Sequence, residues 1–391
     1  MPEHSRRIVI LGSTGSIGRQ TLDVVDRLRQ AGRELEIVGL AAGRNIELLE
    51  AQIASFAPRV VSVASAEAAE NLEEKHPEVR VLHGDEGLLE LSQLDDADTV
   101  VNALVGAVGL APTLAALSIG RKVALANKES LVVGGDLVRA ELERSNGRLF
   151  PLDSEHSALL QCLGAGRRED VAHVILTASG GPFRETDLEA LSDVTPREAL
   201  AHPNWTMGSR ITIDSATMVN KAFEVIEAHH LFEVSYNRID VVVHPESIVH
   251  AVVHYNDGSV IAQLAAHDMR IPIQYALTFP ERIPTDLPHL DLGTLSKLTF
   301  EPLVRERFPA FDVVLSSASA GGSAPAAINA ADEILISRFL EGQIPFLGIA
   351  RGLAAVLDRW TTEADRSAAT LDLILQTDRW ARTVAADLPV E

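Results

Sequence analysis

The sequence contains little cysteine, few aromatic residues and a shortage of positive charge. Among 391 residues there is one cysteine, Cys162, and aromatic side chains make up 4%. One cysteine excludes an intrachain disulfide framework and a zinc site built from several thiolates. The 34 Lys and Arg residues face 55 Asp and Glu residues, for a net charge of −21. Because nucleic-acid backbones attract clustered cations, we expect no nucleic-acid partner, and an anionic ligand requires a local positive pocket.

The sequence also lacks the long apolar runs that membrane insertion requires. The arginine pair at residues 6–7 precedes a short apolar run, 8–11, whereas an export signal needs about seven to fifteen apolar residues. The uncharged stretch 99–120 is interrupted by Asn102 and Pro112, which favours a strand, loop and helix over a membrane span. We therefore expect a cytoplasmic protein that has no membrane partner.

The N-terminal part of the chain alternates short apolar runs with helical patterns. Because these runs are apolar almost throughout, they are typical of parallel strands covered on both faces. The predicted strands are residues 7–11, 35–40, 59–63, 79–82, 99–103 and 123–126. Helical patterns between them, such as 17–31 and 46–56, predict a Rossmann-like, doubly wound α/β sheet over residues 1–150.

The rest of the chain changes character twice. Residues 151–290 predict a central α+β domain. Its strands include 248–255 and 259–264, joined by Asp257-Gly258, a strong hairpin signal. Residues 291–310, within a proline-dotted stretch, predict a linker, and 311–391 predict a C-terminal helical domain.

A glycine-rich loop follows the first predicted strand and precedes a helix. Gly12, Gly15 and Gly18 would let backbone N–H groups approach a pyrophosphate at the helix N-terminus. The second strand ends without the carboxylate that holds an NAD ribose and has Arg44 instead, which favours the 2′-phosphate of NADPH. A plain glycine turn and a solvated Arg44 are the alternatives.

Two further segments carry Lys and carboxylate groups after predicted strands. Lys128 follows the strand 123–126, at the edge where open α/β sheets bind ligands. A surface Lys/Glu pair at the start of a helix is the alternative. Asp153 and Glu155 are two residues apart, so an extended backbone would point both to one side, where oxygen ligands suit Mg²⁺ or Mn²⁺. A helix N-cap followed by a first-turn acid would have the same pattern.

A third segment could complete that site. A helix beginning near Ser215 would bring Asn220, Lys221 and Glu224 to neighbouring positions on its surface. Its N-terminus, the Ser215 hydroxyl and Lys221 would suit a phosphate, and Glu224 could be a third metal ligand. A capped amphipathic helix with one ion pair is the alternative, and spacing alone favours it.

Smaller features fit an anionic substrate. The turn after residue 177 contains Ser179, and the loop 202–208, with Trp205, is typical of a lid that excludes water. A plain turn and a tryptophan that anchors its loop to the core are the alternatives. His244, His250 and His254 are interpreted as surface residues near the hairpin rather than as zinc ligands.

Taken together, these segments resemble one family, the 1-deoxy-D-xylulose 5-phosphate reductoisomerases. The resemblance extends over essentially the whole chain and is carried by residues 12–18, 126–130, 152–157, 177–183, 202–208 and 214–224. One departure is Ala265-Ala266-His267, where relatives usually have Gly-x-Pro before Asp-Met-Arg. The resemblance implies NADPH- and metal-dependent rearrangement and reduction of 1-deoxy-D-xylulose 5-phosphate to 2-C-methyl-D-erythritol 4-phosphate, for isoprenoid synthesis. It also implies a homodimer, in which the α+β domain 151–290 would be the catalytic domain and would mediate dimerisation.

The resemblance also implies a role for each matching residue. The metal ligands, catalytic together with Lys128, would be Asp153, Glu155 and Glu224. Substrate contacts near the metal would come from Lys128, Ser154, Glu155 and Glu224. The substrate phosphate would be surrounded by Ser179, His202, Ser215, Asn220 and Lys221. The NADPH site would be lined by Thr14, Gly15, Ser16, Ile17, Gly43, Arg44, Asn45, Asn127, Glu129 and Gly208.

Two other hypotheses compete with this one. The chain could be a different NADP-linked dehydrogenase on the same scaffold, acting on homoserine-like substrates, which would need no three-carboxylate site. It could also be a non-catalytic protein that keeps only the nucleotide site, although the acidic and lysine side chains make this improbable.

Overall fold

The computed structural model describes residues 6–201, 205, 207–364 and 367–389. These residues form two compact units. The first contains residues 6–130, 138–157 and 268–287, and the second contains 131–137, 158–267 and 288–389. None of the helices within the described ranges is long and apolar enough to cross a membrane.

The first unit is built on a seven-stranded sheet in which all neighbours are parallel. Its strands are β1 Arg6–Leu11, β2 Leu35–Ala41, β3 Val60–Val63, β4 Arg80–His83, β5 Thr99–Asn102, β6 Lys122–Leu125 and β7 Arg148–Pro151. The spatial order is β4-β3-β2-β1-β5-β6-β7. The order reverses between β1 and β5, and open α/β sheets bind ligands beyond the carboxyl ends of strands at such a point.

The second unit contains a mixed five-stranded sheet in the order β11-β10-β8-β9-β12. Its strands are β8 Val171–Ala178, β9 Ile239–Val243, β10 Val249–Tyr255, β11 Val260–Leu264 and β12 Glu301–Pro302. Only β8 and β9 are parallel neighbours within the described sheet. The hairpin between β10 and β11 turns at Gly258, which confirms the prediction from Asp257-Gly258.

Fifteen α-helices accompany these sheets in the described ranges. They are α1 Ser16–Gln30, α2 Ile46–Phe56, α3 Ala66–Lys75, α4 Gly84–Ser92, α5 Leu110–Ser118, α6 Glu129–Arg144, α7 Ser154–Leu163, α8 Pro196–Ala199, α9 Ser209–Thr217, α10 Val219–Phe232, α11 Arg270–Thr278, α12 Pro309–Ala320, α13 Ala324–Leu340, α14 Phe346–Glu363 and α15 Leu371–Asp387. Helices α12 to α15 pack on one another around a core that includes Trp360 and Leu335. The predicted α/β class, with a C-terminal helical region, is confirmed.

The segment 268–287 belongs to the first unit, although it follows the second sheet in the chain. Arg270 of α11 donates to Asp23 of α1 at 2.8 Å, so the two helices are joined by an ion pair. At the other end of α11, Arg6 and Lys122 donate to the carbonyls of Leu277 and Ala276. Cations are favoured at a helix C-terminus because the last carbonyls carry partial negative charge. The predicted domain boundaries near residues 150, 290 and 310 remain predictions.

Candidate active site

The glycine loop of the first unit connects β1 to α1, as predicted. A Cβ at Gly18 would lie 2.3 Å from the Gly12 carbonyl oxygen, so only glycine fits this close approach. Ser13 Oγ donates to Gln52 of α2 at 2.7 Å, and this buried hydrogen bond attaches the loop to α2. The helix begins at Ser16, and its N-cap, Gly15, has no side chain to cap it. The first N–H groups of α1 therefore have no acceptor within the helix and suit a phosphate.

The turn after β2 contains the residues expected to recognise the cofactor's ribose. Arg44 and Gly43 are exposed there. Asn45 caps α2, because its Oδ1 accepts a hydrogen bond from Leu48 N at 3.1 Å. Arg44 is therefore accessible to a ligand, whereas the Asn45 side-chain oxygen is already used by the helix.

Asn127 and Glu129 hold the loop that follows β5. Asn127 Nδ2 donates to the carbonyls of Leu104 and Gly106 at 3.0 and 2.9 Å. Glu129 Oε1 accepts a hydrogen bond from Gly106 N at 3.0 Å. Both side chains thus hold the backbone of this loop in place at the carboxyl edge of the sheet. This structural role is separate from the predicted contact with NADPH.

Lys128 and Asp153 follow the adjacent parallel strands β6 and β7, which brings them together at the same sheet edge. They form an ion pair, and their side chains are 11% and 13% exposed. Helix α7 begins at Ser154, whose Oγ donates to Glu155 at 2.5 Å. Of the two alternatives for this segment, the helix is the one observed, because Glu155 lies in the first turn of α7 and not in an extended backbone. Carboxylate oxygens of Asp153 and Glu155 nevertheless lie within 4.8 Å of each other, close enough for one ion.

In the second unit, the helix does not begin near Ser215, which corrects the prediction. Ser215 lies in the last turn of α9, and its Oγ donates to the Ile211 carbonyl at 2.9 Å. Met218 adopts a left-handed conformation with φ 63° and separates α9 from α10. A non-glycine residue in this conformation costs energy, and the chain bends sharply there.

The remaining predicted residues of this segment lie at the start of α10. Lys221 and Asn220 both donate to the Glu224 carboxylate, Asn220 at 2.5 Å. Lys221 and Glu224 are buried, at 4% and 1% exposure. A buried carboxylate needs such donors or a cation, because its desolvation is otherwise costly. The predicted i,i+3 and i,i+4 proximity is confirmed.

The turn after β8 contains Ser179 and packs against the end of α9. Ser179 Oγ accepts a hydrogen bond from Gly181 N at 3.2 Å. Gly181 has φ 67°, and a Cβ there would lie 2.7 Å from the Ser215 carbonyl oxygen. The Ser179 turn and Ser215 are thus neighbours, although they are far apart in sequence.

This packing gives a testable prediction for Gly181→Ala. The methyl group would collide with the Ser215 backbone, and the positive φ would be strained, so the Ser179 turn must move. If the Ser179 turn binds a substrate phosphate, as the resemblance implies, we expect the KM for that substrate to rise about tenfold or more, since about 1.4 kcal/mol of lost binding free energy is a factor of ten. Steady-state kinetics would measure it, with Gly342→Ala as the control, because a Cβ at Gly342 meets nothing within 4 Å although its φ of 73° is similar. Equal KM values for the two variants would show that the packing of Gly181 on the Ser215 backbone does not affect substrate binding.

The predicted lid is only partly described. His202 lies outside the described residues, and Gly208 is the exposed N-cap of α9. The Trp205 ring lies 5.4 Å from the His267 ring, measured between centroids. His267 Nε2 also lies 2.9 Å from the Glu246 carbonyl oxygen. The departure at residues 265–267 therefore places a hydrogen-bonding ring next to the tryptophan.

Sequence reasoning missed several buried polar residues. His156, in the first turn of α7, has a ring nitrogen within 4.8 Å of an Asp153 carboxylate oxygen. Glu227 is buried on α10, one turn after Glu224. The i,i+3 spacing from Glu224 was the available signal for Glu227, and the Asp-Ser-Glu-His run was the signal for His156.

The interpretation of the hairpin histidines as surface residues is wrong for two of them. His244 and His250 are buried. His244 stacks on Phe300, and its Nδ1 lies 2.7 Å from the Thr299 carbonyl oxygen, so it joins two backbone segments. His254 stacks on His173 across paired strands, and burial together with that neighbour lowers the pKa of His254.

Family models match the chain in three consecutive segments. Models of 1-deoxy-D-xylulose 5-phosphate reductoisomerase and of its C-terminal domain match residues 8–135 and 149–232. A further model of a DXP reductoisomerase C-terminal domain matches residues 264–384. These ranges contain the glycine loop, the acidic segments and the helical C-terminal region described above.

Individual proteins of this family match the whole chain. The 1-deoxy-D-xylulose 5-phosphate reductoisomerase of Heliobacterium modesticaldum is 48% identical over 388 residues, covering 98% of this chain and 97% of the relative. That of Chlorobium chlorochromatii is 50% identical over 386 residues, covering 97% of this chain and 98% of the relative.

Solved structures agree with these matches. The Zymomonas mobilis enzyme in complex with NADPH has a TM-score of 0.90 and 38% identity, with 98% of each chain covered. A DOX-P reductoisomerase in complex with NADPH, fosmidomycin and magnesium has a TM-score of 0.91 and 38% identity, with 97% of each chain covered.

Proposed function

The chain belongs to the 1-deoxy-D-xylulose 5-phosphate reductoisomerase family, and we propose which of its side chains bind the metal, the substrate and the cofactor in that reaction. It converts 1-deoxy-D-xylulose 5-phosphate to 2-C-methyl-D-erythritol 4-phosphate, with NADPH and Mg²⁺, in the non-mevalonate route to isoprenoids. The match over 98% of the chain carries this conclusion. The same match excludes the two competing hypotheses, a dehydrogenase for homoserine-like substrates and a non-catalytic nucleotide-binding protein.

We propose that Asp153, Glu155 and Glu224 bind one divalent cation, Mg²⁺ or Mn²⁺. Their chemistry fits, because both ions prefer carboxylate oxygens. In addition, Asp153 and Glu224 are each held beside a lysine, which a divalent ion could replace as the compensating charge. When bound, the ion would act as a Lewis acid on the carbonyl and hydroxyl oxygens of the substrate.

Removal of divalent cations tests this assignment. We expect excess EDTA to abolish NADPH oxidation in the presence of 1-deoxy-D-xylulose 5-phosphate, and added Mg²⁺ or Mn²⁺ to restore it. NADPH binding, followed by fluorescence, should persist in EDTA, because the cofactor residues lie on the glycine loop and its neighbours. Full turnover in EDTA would refute the metal site.

The substrate phosphate would be bound by Ser179, Ser215, Asn220 and Lys221, together with His202, which lies outside the described residues. Support comes from the contact between the Ser179 turn and the Ser215 backbone and from the buried cation of Lys221. Binding the phosphate away from the reacting carbons can be used to align them and to exclude water. Lys128, Ser154, Glu155 and Glu224 would orient the oxygens that react.

The cofactor would lie along the glycine loop. Its pyrophosphate would be bound by the start of α1, through Thr14, Gly15, Ser16 and Ile17. Its adenosine ribose phosphate would be recognised by Gly43, Arg44 and Asn45, and Asn127, Glu129 and Gly208 would line the reactive end. Reduction of the branched aldehyde that forms by rearrangement of the carbon skeleton would complete the reaction.

Arg44→Ala is expected to reduce the preference for NADPH over NADH. A charge-assisted hydrogen bond contributes about 1.5–3 kcal/mol, and exposure lowers that, so we expect about a tenfold rise in the KM for NADPH and little change for NADH. Steady-state kinetics with both cofactors would measure this. Arg80→Ala, which removes an exposed arginine of β4 paired with Glu90, is the control. An unchanged cofactor ratio in Arg44→Ala would show that another group reads the 2′-phosphate.

We further propose that the enzyme is a cytoplasmic homodimer. Edge strand β11 exposes Val260 and Ile261, at 51% and 36%. An exposed apolar edge strand is a template for pairing with another chain, which a second copy would cover. Light scattering should give twice the chain mass, and Val260→Lys should shift it towards the monomer. The charged reactants, which cross bilayers poorly, support the proposed cytoplasmic location.

A further inference from the structure

A partly buried network of charges joins α9 to the C-terminal helices. Arg210, in the first turn of α9, donates to Glu333 and Asn329 of α13 at 2.8 Å each. Its guanidinium also lies 3.5 Å from Asp332 on α13 and 3.6 Å from Asp214 on its own helix. Arg382 of α15 donates to Glu333 at 2.8 Å and so extends the network to a third helix. Three helices are therefore joined through one charged cluster.

The position of this cluster is unusual for a helical core. Asp332 is fully buried on a helix whose other inward positions are mostly alanine and isoleucine. Burial raises the pKa of Asp332 to about 6, against the opposing effect of Arg210. A buried ion pair gives little stability relative to apolar side chains of the same size, but its directional contacts permit few alternative arrangements. The network therefore fixes the register of α9 on α13 more than it strengthens their packing.

The position of α9 on α13 determines where the residues that would bind the substrate phosphate lie. Its last turn contains Ser215, whose carbonyl is in contact with Gly181 of the Ser179 turn. It then passes through the left-handed Met218 into α10, which begins with Asn220 and Lys221. A shift of α9 would displace Ser215 and, through these contacts, the Ser179 turn and the start of α10.

We propose that Arg210, Asn329 and Asp332 are positioning residues that set Ser215 for the substrate phosphate. This inference rests on the proposed function, because it requires Ser215 to bind that phosphate. The three residues touch neither substrate nor cofactor in this scheme. They act through α9, on substrate affinity rather than on the chemical step.

A double-mutant cycle between Arg210→Gln and Ser215→Ala tests the proposal. We expect Arg210→Gln to raise the KM for 1-deoxy-D-xylulose 5-phosphate about tenfold, with kcat and NADPH affinity within about twofold of the parent. Because Arg210 acts in part through Ser215 and in part through the Ser179 turn and the start of α10, Arg210→Gln should raise the KM clearly less in the Ser215→Ala background than in the parent, as interacting residues are non-additive. Arg338→Gln is the matched control. Arg338 also joins α13 to α15, by donating to the Ala385 carbonyl, but lies outside the network.

The outcomes separate this proposal from the proposed function. If Ser215→Ala leaves KM unchanged, the phosphate role of Ser215 is wrong and the inference falls with it. If Ser215→Ala raises KM but Arg210→Gln does not, or raises it equally in both backgrounds, only the positioning role is overturned. The positioning role is also overturned if Arg338→Gln raises KM as much as Arg210→Gln, because general loosening of the bundle would then explain both.

Asp332→Asn provides a second test of the positioning role, which applies if the Arg210 variant folds poorly. Asp332 faces Arg210 and Asp214 on α9 and Glu333 on its own helix. Since its pKa is raised from 3.8 to about 6, the parent loses stability as pH rises through that range, whereas asparagine does not titrate. Above pH 6 we therefore expect Asp332→Asn to melt at a higher temperature than the parent and yet to have a higher KM, with the two KM values converging below pH 6. A KM ratio that is the same at every pH, or that follows the melting temperature, would overturn the positioning role.

Discussion

Glu224→Gln is expected to reduce turnover by about 10³-fold, because a divalent Lewis acid contributes several kcal/mol to catalysis and the amide is a weaker, neutral ligand. The substitution preserves the size of the side chain, but Lys221 and Asn220, which both donate to Glu224, would then face an amide. NADPH binding should be unchanged, since its proposed residues lie on other elements. The measurements are kcat at saturating substrate over a series of Mg²⁺ concentrations and the Kd of NADPH by fluorescence.

The same helix offers a control for Glu224→Gln. Glu233, the C-cap residue that follows α10, forms an exposed ion pair with Arg168 at 3.7 Å. Exposed pairs contribute about 0–1 kcal/mol, so Glu233→Gln should keep nearly full activity. If Glu224→Gln retained more than about a tenth of the parent turnover at every Mg²⁺ concentration, Glu224 would not be a metal ligand. A large loss of NADPH affinity would instead point to misfolding, which far-ultraviolet circular dichroism would detect.

Much of the first unit follows from local sequence. Strands β1, β2, β3 and β5 are predictable because their apolar runs are continuous, as burial on both faces of a parallel sheet requires. Strand β7 escapes prediction, since Arg148–Pro151 is short, begins with a charge and ends with proline. Such an edge strand is specified by its neighbour β6 rather than by its own pattern.

The candidate site was predictable where chain topology brings side chains together. Lys128 and Asp153 follow adjacent parallel strands, so their proximity could be inferred once both strands were known. The end of α9 could not, because nothing in the sequence marks Met218 as left-handed; the turn depends on contacts such as Gly181 with the Ser215 backbone. The cluster around Arg210 depends on the packing of helices more than 100 residues apart in sequence, which periodicity does not report.

The pairing of Lys128 with Asp153 predicts two opposite effects of removing the lysine, a lower kcat and a higher affinity for Mg²⁺. Lys128→Met removes the charge but keeps the length of the side chain. We expect kcat to fall by about 10²–10³-fold, the range found when one preorganised charge or donor is removed from a reacting oxygen. In the same variant the Mg²⁺ concentration needed for half-maximal activity should fall, because Asp153 and Glu155 would lose a competing cation.

This split distinguishes a catalytic lysine from one that only neutralises Asp153. A lysine that merely balances charge would be replaced by the divalent ion, so Lys128→Met would bind Mg²⁺ more tightly and keep its kcat. A lysine needed only for folding would lower both kcat and thermal stability without improving Mg²⁺ affinity. Lys75→Met, which removes an exposed lysine paired with Glu50, should change neither kcat nor the Mg²⁺ requirement. Low kcat combined with tighter Mg²⁺ binding is therefore the result that only direct contact of Lys128 with the reacting substrate predicts.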